Sequence, residues 1–287
     1  MKIFSAAAAL EHGETTASSL FYCENGAYRI GKNVVHDIHK RGWLSLQQII
    51  KYSSNIGAVK VGQKVGAKNL YRTLRNFGFG RKTGIDFPGE TTGSLSNYSS
   101  WSNIDTGAIS FGHGVSVSAI QMVTAVSAIA NDGILMKPYI VQEIVNQNDH
   151  PVKRFKPQEI RRAISARTAK IVKNIMKTVT TEGGTGVNAA LDGYSVGGKT
   201  GTSRKLDENG QYSNNRHTAS FIGFTPADNP EIAILVVVDE PKEKYYGGIV
   251  AAPVFKQIAQ QTLNYLNVPP DSDTTKFRVF LGREANG

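Results

Sequence analysis

Three strand-like runs, "YSVGGKTGTS", "HTASFIGFT" and "EIAILVVVDEP", follow one another late in the chain, and a helical run, "AAPVFKQIAQQTLNYLN", closes them. The second and third are separated by the turn-forming "PADNP". The closing helix carries Val254, Phe255, Ile258, Leu263 and Leu266 as its apolar set. Three strands and a closing helix argue for an antiparallel sheet with helices packed against it, an α+β architecture.

The first half reads differently, as helices joined by glycine-rich turns. "MKIFSAAAAL" is apolar and alanine-rich, with high helix propensity and Gly13 as its stop, so the chain opens on what looks like a buried helix. "SLQQIIKYSSNIGAVKVGQKV" sets Leu46, Ile49, Ile50, Ile56 and Val59 near helical spacing, with Val61 and Val65 less regular. "AKNLYRTLRNFGFG" follows the same pattern, "RKTGIDFPGETTGSLSNYSS" is a turn-rich connector, and "SVSAIQMVTAVSAIANDG" is a buried helix ending at Asn-Asp-Gly. From Lys137 the texture changes: "MKPYIVQEIVN" predicts a strand, and "SARTAKIVKNIMKTVTTEGG" a helix capped by Ser165. One domain over residues 1–268 is expected, mainly helical to about residue 135 and sheet-bearing over 136–268, with 269–287 as a linker or tail.

A hydrophobic content of 40% over 287 residues supplies a sizeable core. The longest apolar stretches fall short of the roughly 18 residues that a membrane span needs, and no signal-type segment follows Met1. Cys23 is the single cysteine, which excludes an intrachain disulfide and any multi-cysteine metal site. The net charge of +10 suggests an anionic partner. The basic residues are dispersed, however, and no nucleic-acid-binding signature accompanies them, so a solvated basic face is expected and no nucleic-acid partner. His36 and His39 in "HDIH" have a spacing usable by a metal but lack a third ligand nearby, so no metal site is expected.

Polar residues interrupt buried elements in two places. Ser53 and Asn55 stand in the apolar helical region, and Lys199 and Thr200 in a glycine-rich strand where another group can approach the backbone. Taken singly, Ser-Ser-Asn is often a helix junction and Lys-Thr-Gly often a turn. Taken in order after Lys2, they match the S-x-x-K, S-x-N and K-T-G boxes of a known family of acyl-transfer enzymes. The chain resembles the transpeptidase domain of penicillin-binding proteins over roughly residues 1–268. The stretches "NFGFGRKTGIDFPGE", "FGHGVSVSAIQMVTAVSAIANDG", "TTEGGTGVNAALDGYSVGGKTGTS" and "YYGGIVAAPVFKQIA" resemble its class B branch, while "CENGAYRIGK" and "HDIHKRGWLSLQQIIKYSSNIGAVK" resemble the division-specific type.

The resemblance implies the β-lactamase/transpeptidase-like fold, with N-terminal strands expected to lie ahead of this chain. It also implies peptidoglycan D,D-transpeptidation through a serine acyl-enzyme that β-lactams also form, without a cofactor. Lys2 corresponds to the lysine of the first box, so the nucleophilic serine is expected before Met1; no Ser-x-x-Lys occurs within the 287 residues. By the same resemblance Lys2 is the base, Ser53 relays the proton, and Asn55 bonds Lys2 and the substrate amide. Lys199, Thr200, Gly201 and Thr202 engage the terminal carboxylate of a D-Ala-D-Ala stem peptide, with the Thr202 N–H as an oxyanion donor. Boxes so far apart can act on one carbonyl only if the fold collects them.

The intact protein is expected in a bacterial inner membrane, with this domain on the outer, periplasmic face and cell-division membrane proteins as partners. The 287 residues themselves carry no anchor or signal and are expected to be inactive alone. The alternatives are a non-catalytic binding fragment, or a β-lactamase or D,D-carboxypeptidase of the same fold. Two decoys are set aside: "RKTG" at Arg81–Gly84 as a turn, and "SNN" at Ser213–Asn215 as part of a polar loop between strands.

Overall fold

In the computed structural model of the chain, which describes residues 1–208 and 210–271, the opening run is the helix α1 (Lys2–Glu11). Ile3, Phe4, Ser5 and Ala6 to Ala9 are all buried along it. Alanine has the highest helix propensity and a small side chain, so neighbouring elements approach α1 closely on several sides. Phe4 is its anchor, packed edge-on against Phe77 and Phe79 with each ring centroid 4.9 Å away. The one buried hydroxyl, Ser5 Oγ, donates to the carbonyl of Ser110 at 2.8 Å. The helix ends before Gly13, whose φ of +73° an L side chain rarely adopts.

The long helical run after Leu46 is two helices, α2 (Leu46–Tyr52) and α3 (Asn55–Val65). Ser53, at φ +59°, breaks the run, and Ser54 restarts it by accepting the Gly57 N–H at 2.9 Å as the cap of α3. α4 (Ala67–Asn76), α5 (Asn103–Phe111) and α6 (Ala119–Ala130) follow. α5 was not foreseen, because its run "NIDTGAISF" is rich in small and polar residues. Its signal lay in Ser102 and Asp105, which form a reciprocal capping box. α3 and α5 meet where Gly62 lies against Ser110 so closely that a Cβ at Gly62 would stand 2.5 Å from the Ser110 side chain.

Short antiparallel pairs decorate these helices, and they too escaped the sequence. β1 (Leu20–Tyr22) pairs with β4 (Trp43–Ser45), β2 (Ala27–Ile30) with β3 (Asn33–His36), and β5 (Ser94–Leu95) with β6 (Val115–Ser116). Runs of two to four residues carry too little alternation to be recognised. The strand expected over "MKPYIVQEIVN" is divided between β7 (Ile134–Met136) and β8 (Glu143–Val145). Between them Pro138 has no N–H to donate, and the Asp86 carboxylate takes the N–H groups of Ile140 and Val141 at 2.7 and 2.9 Å. β8 pairs with β9 (Pro151–Arg154), and β7 with β10 (Glu159–Arg162). α7 (Ala166–Lys177) begins at the expected cap, Ser165, whose Oγ accepts the Thr168 N–H at 3.2 Å.

Two units organise the chain, Met1–Ile49 with Ser54–Val172, and Ile50–Ser53 with the residues from Lys173 onward. The second holds the expected sheet. β11 (Gly197–Leu206), β12 (Tyr212–Thr225) and β13 (Ile232–Asp239) form an antiparallel sheet in that order, with the short α8 (Gly247–Val250) and the closing helix α9 (Ala252–Tyr265) packed on it. Phe221 of β12 meets Phe255 of α9 at 4.8 Å, and Val196, Tyr194 and Leu263 complete that core. β12 starts earlier than expected, so Ser213–Asn215 lies in a strand and not in a loop; Ser213 Oγ accepts the N–H groups of Asn215 and Arg216, both at 3.2 Å. Of the tail read at 269–287, residues 272–287 lie outside the described residues. Within the described part, Asp271 accepts the Ser195 N–H at 2.7 Å and so returns the chain to the start of the sheet.

Since Phe4 packs α1 against Phe77 and Phe79, Phe4→Ala should destabilise the chain by about 3–5 kcal/mol. Urea unfolding followed by circular dichroism reads this as a fall in midpoint at unchanged slope.

Candidate active site

In the first unit, Lys2 opens α1 and Asn55 opens α3. Burial pulls the pKa of the Lys2 amine down from 10.5 to about 8, against the opposing charge of Asp37. An amine in that range gives up its proton far more readily at neutral pH than an exposed lysine does. Asn55 is held twice: its side-chain Nδ2 donates to the His36 carbonyl at 2.9 Å, and its backbone N–H to Asp37 Oδ1. The same oxygen accepts the Ile56 N–H at 3.1 Å, and Asp37 Oδ2 accepts the Ser54 hydroxyl. These donors are the N–H groups that the first turn of a helix leaves without intrahelical partners, plus the cap's own hydroxyl.

In the second unit, Ser53 and the K-T-G strand meet. Lys199 is only 6% exposed, and its ammonium donates to Ser53 Oγ at 2.9 Å, to the Thr200 carbonyl at 3.0 Å and to Thr200 Oγ1 at 3.1 Å. The Thr200 hydroxyl donates to Thr185 Oγ1 at 3.0 Å, and the backbone N–H of Thr185 donates to the Lys51 carbonyl at 3.3 Å. A run of hydrogen bonds therefore links β11 to the turn that carries Ser53. That turn is strained, because φ +59° is a conformation that serine seldom adopts, and such strain gathers where a side chain is held for use.

The glycines around the K-T-G box are there for contact. A Cβ at Gly198 would stand 2.3 Å from the ring of Phe221, so the strand lies flat on that ring. Gly201 pairs with Ser220 across the ladder, and a Cβ at Gly247 would come within 2.5 Å of the Gly201 carbonyl and 2.1 Å of the Ser220 carbonyl. Thr202 sits at the edge of that contact, its Oγ1 accepting the Gly247 N–H at 3.2 Å. Lys199, Thr200, Gly201 and Thr202 thus share one stretch of β11, in register with Ile222, Phe221, Ser220 and Ala219.

The decoy Arg81–Gly84 is a loop, closed by Glu90, whose carboxylate accepts the Thr83 and Gly84 N–H groups. Asp37 and Thr185 were missed as site residues. Asp37 lies in "HDIH", between histidines at a metal-like spacing, and Thr185 lies in "TTEGGTGVNAA", which has no periodic pattern.

Comparison with known proteins shows the family. The family profile "Penicillin binding protein transpeptidase domain" matches residues 1–260. The chain belongs to that family, and within it to the class B, division-specific kind. It is 38% identical over 280 residues to the "Probable peptidoglycan D,D-transpeptidase PenA" of Neisseria gonorrhoeae, covering 97% of this chain and 46% of that protein. It is 40% identical over 275 residues to "Stage V sporulation protein D" of Bacillus subtilis, covering 94% and 42%. Among solved structures, the transpeptidase domain of Burkholderia pseudomallei penicillin-binding protein 3 superposes with a TM-score of 0.85 at 35% identity, covering 95% of this chain and 80% of that one. Penicillin-binding protein 3 of Mycobacterium tuberculosis, solved with aztreonam, gives 0.86 at 32%, covering 94% and 62%. The chain therefore spans about half the length of these curated relatives. Among the described residues, no helix is long and apolar enough to cross a membrane.

The Lys2 amine makes a stability prediction whose sign follows from its direction of shift. The unfolded chain binds that proton with the ordinary pKa of 10.5 and the folded chain with about 8. The penalty is therefore complete below pH 8 and fades as pH rises toward 10.5. Lys2→Met should raise the unfolding free energy read from urea titration at pH 7, by an amount on the order of 3 kcal/mol at most, and the gain should vanish near pH 10.5.

Proposed function

We propose that this chain is the core of a peptidoglycan D,D-transpeptidase. The observation that carries this is the hydrogen bond from Lys199 of the K-T-G box to Ser53 of the S-x-N box, 146 residues apart in sequence and 2.9 Å apart in the fold. In this function the nucleophile is the serine of the first box, three positions ahead of Lys2 and so outside the 287 residues. Lys2, with its lowered pKa, takes the serine's proton as the oxygen attacks the penultimate D-Ala carbonyl of a stem peptide. The Oγ–C bond forms, the amide C–N bond breaks, and the terminal D-Ala leaves with a proton relayed through Ser53. An amine of a second stem peptide then attacks the ester, restoring the serine and forming the crosslink.

Lys199 and Thr200 hold the terminal carboxylate, Gly201 leaves room for it, and the Thr202 N–H is one donor to the oxyanion. Asn55 orients the substrate amide. β-Lactams acylate the same serine because their strained amide occupies the place of the D-Ala-D-Ala bond. The intact protein would work on the outer face of a bacterial inner membrane with division proteins beside it. The second reading is a non-catalytic binding fragment, whose Lys199 ammonium and Thr200 hydroxyl, set side by side, would still recognise a carboxylate.

A fluorescent penicillin and a denaturing gel separate the two. A chain extended upstream through an in-frame serine should be labelled, and Lys2→Ala or Lys199→Ala in it should slow labelling by about 10²-fold or more. The 287-residue chain should carry no label. Label on it would mean that another serine is the nucleophile, and an extended chain that never labels would leave only the binding fragment.

A further inference from the structure

Between β7 and β10 the first unit sends out a hairpin. Its strands, β8 and β9, pair only with each other among the described residues, and every residue of both is exposed. Ile144, Val145 and Val152 are among them, at 48%, 43% and 68% of full exposure. A two-stranded hairpin is marginal in water, and a third strand is what secures one. Each strand here has an open edge to offer it.

The two edges differ in backbone and in charge. The Phe155 N–H donates to the Gln142 carbonyl at 2.9 Å, and Glu143 faces Arg154 in register. In an antiparallel ladder that pattern turns the N–H and C=O groups of Glu143 and Arg154 outward, one set on each edge. The β8 edge is acidic: it carries Glu143 and follows Ile140 and Val141, whose N–H groups the Asp86 carboxylate takes. The β9 edge is basic, with Lys153, Arg154 and then Lys156. Its first part is closed, since Pro151 has no N–H and the register skips Val152, a bulge of the kind that guards edges. From Arg154 on it is open, and Pro157 disfavours helical backbone at Lys156, so the extended run continues.

We propose that the Arg154–Lys156 edge of β9 docks an acidic, extended segment of another protein, which joins the hairpin as its third strand. The charge balance fits such a partner: residues 137–162 hold six lysines and arginines against three aspartates and glutamates. Arg154 is bonded to Glu143 at 2.9 Å, but that pair is exposed and worth little, so the guanidinium can be shared. A second copy of this chain, itself at +10, is repelled on approach. A lipid surface fits less well, because Ile144 and Val145 are consecutive in β8 and point to opposite faces, which leaves no single apolar side to insert. An added strand meets neighbours on both faces, with acidic residues reaching Lys153 on one and Arg154 on the other.

The ¹⁵N-labelled 287-residue chain can be titrated with the blocked peptide Val-Asp-Glu-Val-Asp-Glu-Val and with its twin Val-Lys-Lys-Val-Lys-Lys-Val. The acidic peptide should move the Arg154 and Lys156 amide signals and slow hydrogen exchange at the Arg154 N–H by about tenfold or more at saturation. The Glu143 N–H, on the other edge, should exchange as before, and the lysine twin should change neither. Two variants then separate backbone pairing from charge. Arg154→Gln loses the charge and keeps the N–H; Arg154→Pro loses both, and removes no bond of the hairpin because that N–H points outward. Arg154→Pro should bind the acidic peptide about tenfold more weakly than Arg154→Gln, the cost of one backbone hydrogen bond. Equal binding by the two variants, protection of Glu143 in place of Arg154, or equal response to both peptides would overturn the proposal. So would co-sedimentation with phosphatidylglycerol vesicles by a chain that the acidic peptide leaves unmoved, which would assign the basic edge to a membrane. Should Arg154→Pro lose the β8 signals, the exchange comparison in the wild type decides alone.

Discussion

A lysine ammonium taken out of water needs oxygen atoms around it, because an isolated buried charge costs several kcal/mol. In the second unit this requirement shapes the centre of the sheet. Lys199 finds its oxygens on Ser53 and Thr200, and Thr200 is steadied in turn by Thr185. The flat, glycine-bearing β11 and the strained turn at Ser53 both follow from bringing those oxygens to one amine. An alanine at Gly198 or Gly247 would push a ring or a backbone away and leave the ammonium less well surrounded.

The first unit meets the same constraint in another way. Lys2 begins a helix whose following residues are buried, so the amine is desolvated whatever its own exposure. Here burial lowers the proton affinity, and the charge of Asp37 opposes that. Under the proposed function Lys199 anchors a carboxylate and is held by three oxygens, whereas Lys2 takes a proton, and burial favours its neutral form.

The run from Leu46 to Val65 is a helix that the chain refuses to continue. Uninterrupted, Leu46–Val65 would be one long amphipathic helix. The left-handed Ser53 and the cap at Ser54 replace it with two, so that Ser53 falls in the second unit and Asn55 in the first. The break is what exposes the N–H groups of the first turn of α3, and Asp37 is the group that takes them.

How much of this could be seen in the sequence follows the range of the forces involved. α1, α6, α7 and α9 were legible because 3.6-residue periodicity, caps and stop signals act within a dozen residues. The three-stranded sheet was legible from consecutive apolar runs and a turn. The boxes at Lys2, Ser53 and Lys199 were legible as polar residues in apolar settings, and by resemblance. α5 was hidden by its small residues, and the paired strands by their brevity. The sequence by itself determined which segments must be buried and which polar residues would have to be explained there. Only the tertiary structure decided that Lys199 meets Ser53, that Thr185 ties their elements together, and that Asp37 secures α3. Those are contacts between residues 15 to 146 positions apart, where no local pattern constrains the partner and packing alone selects it.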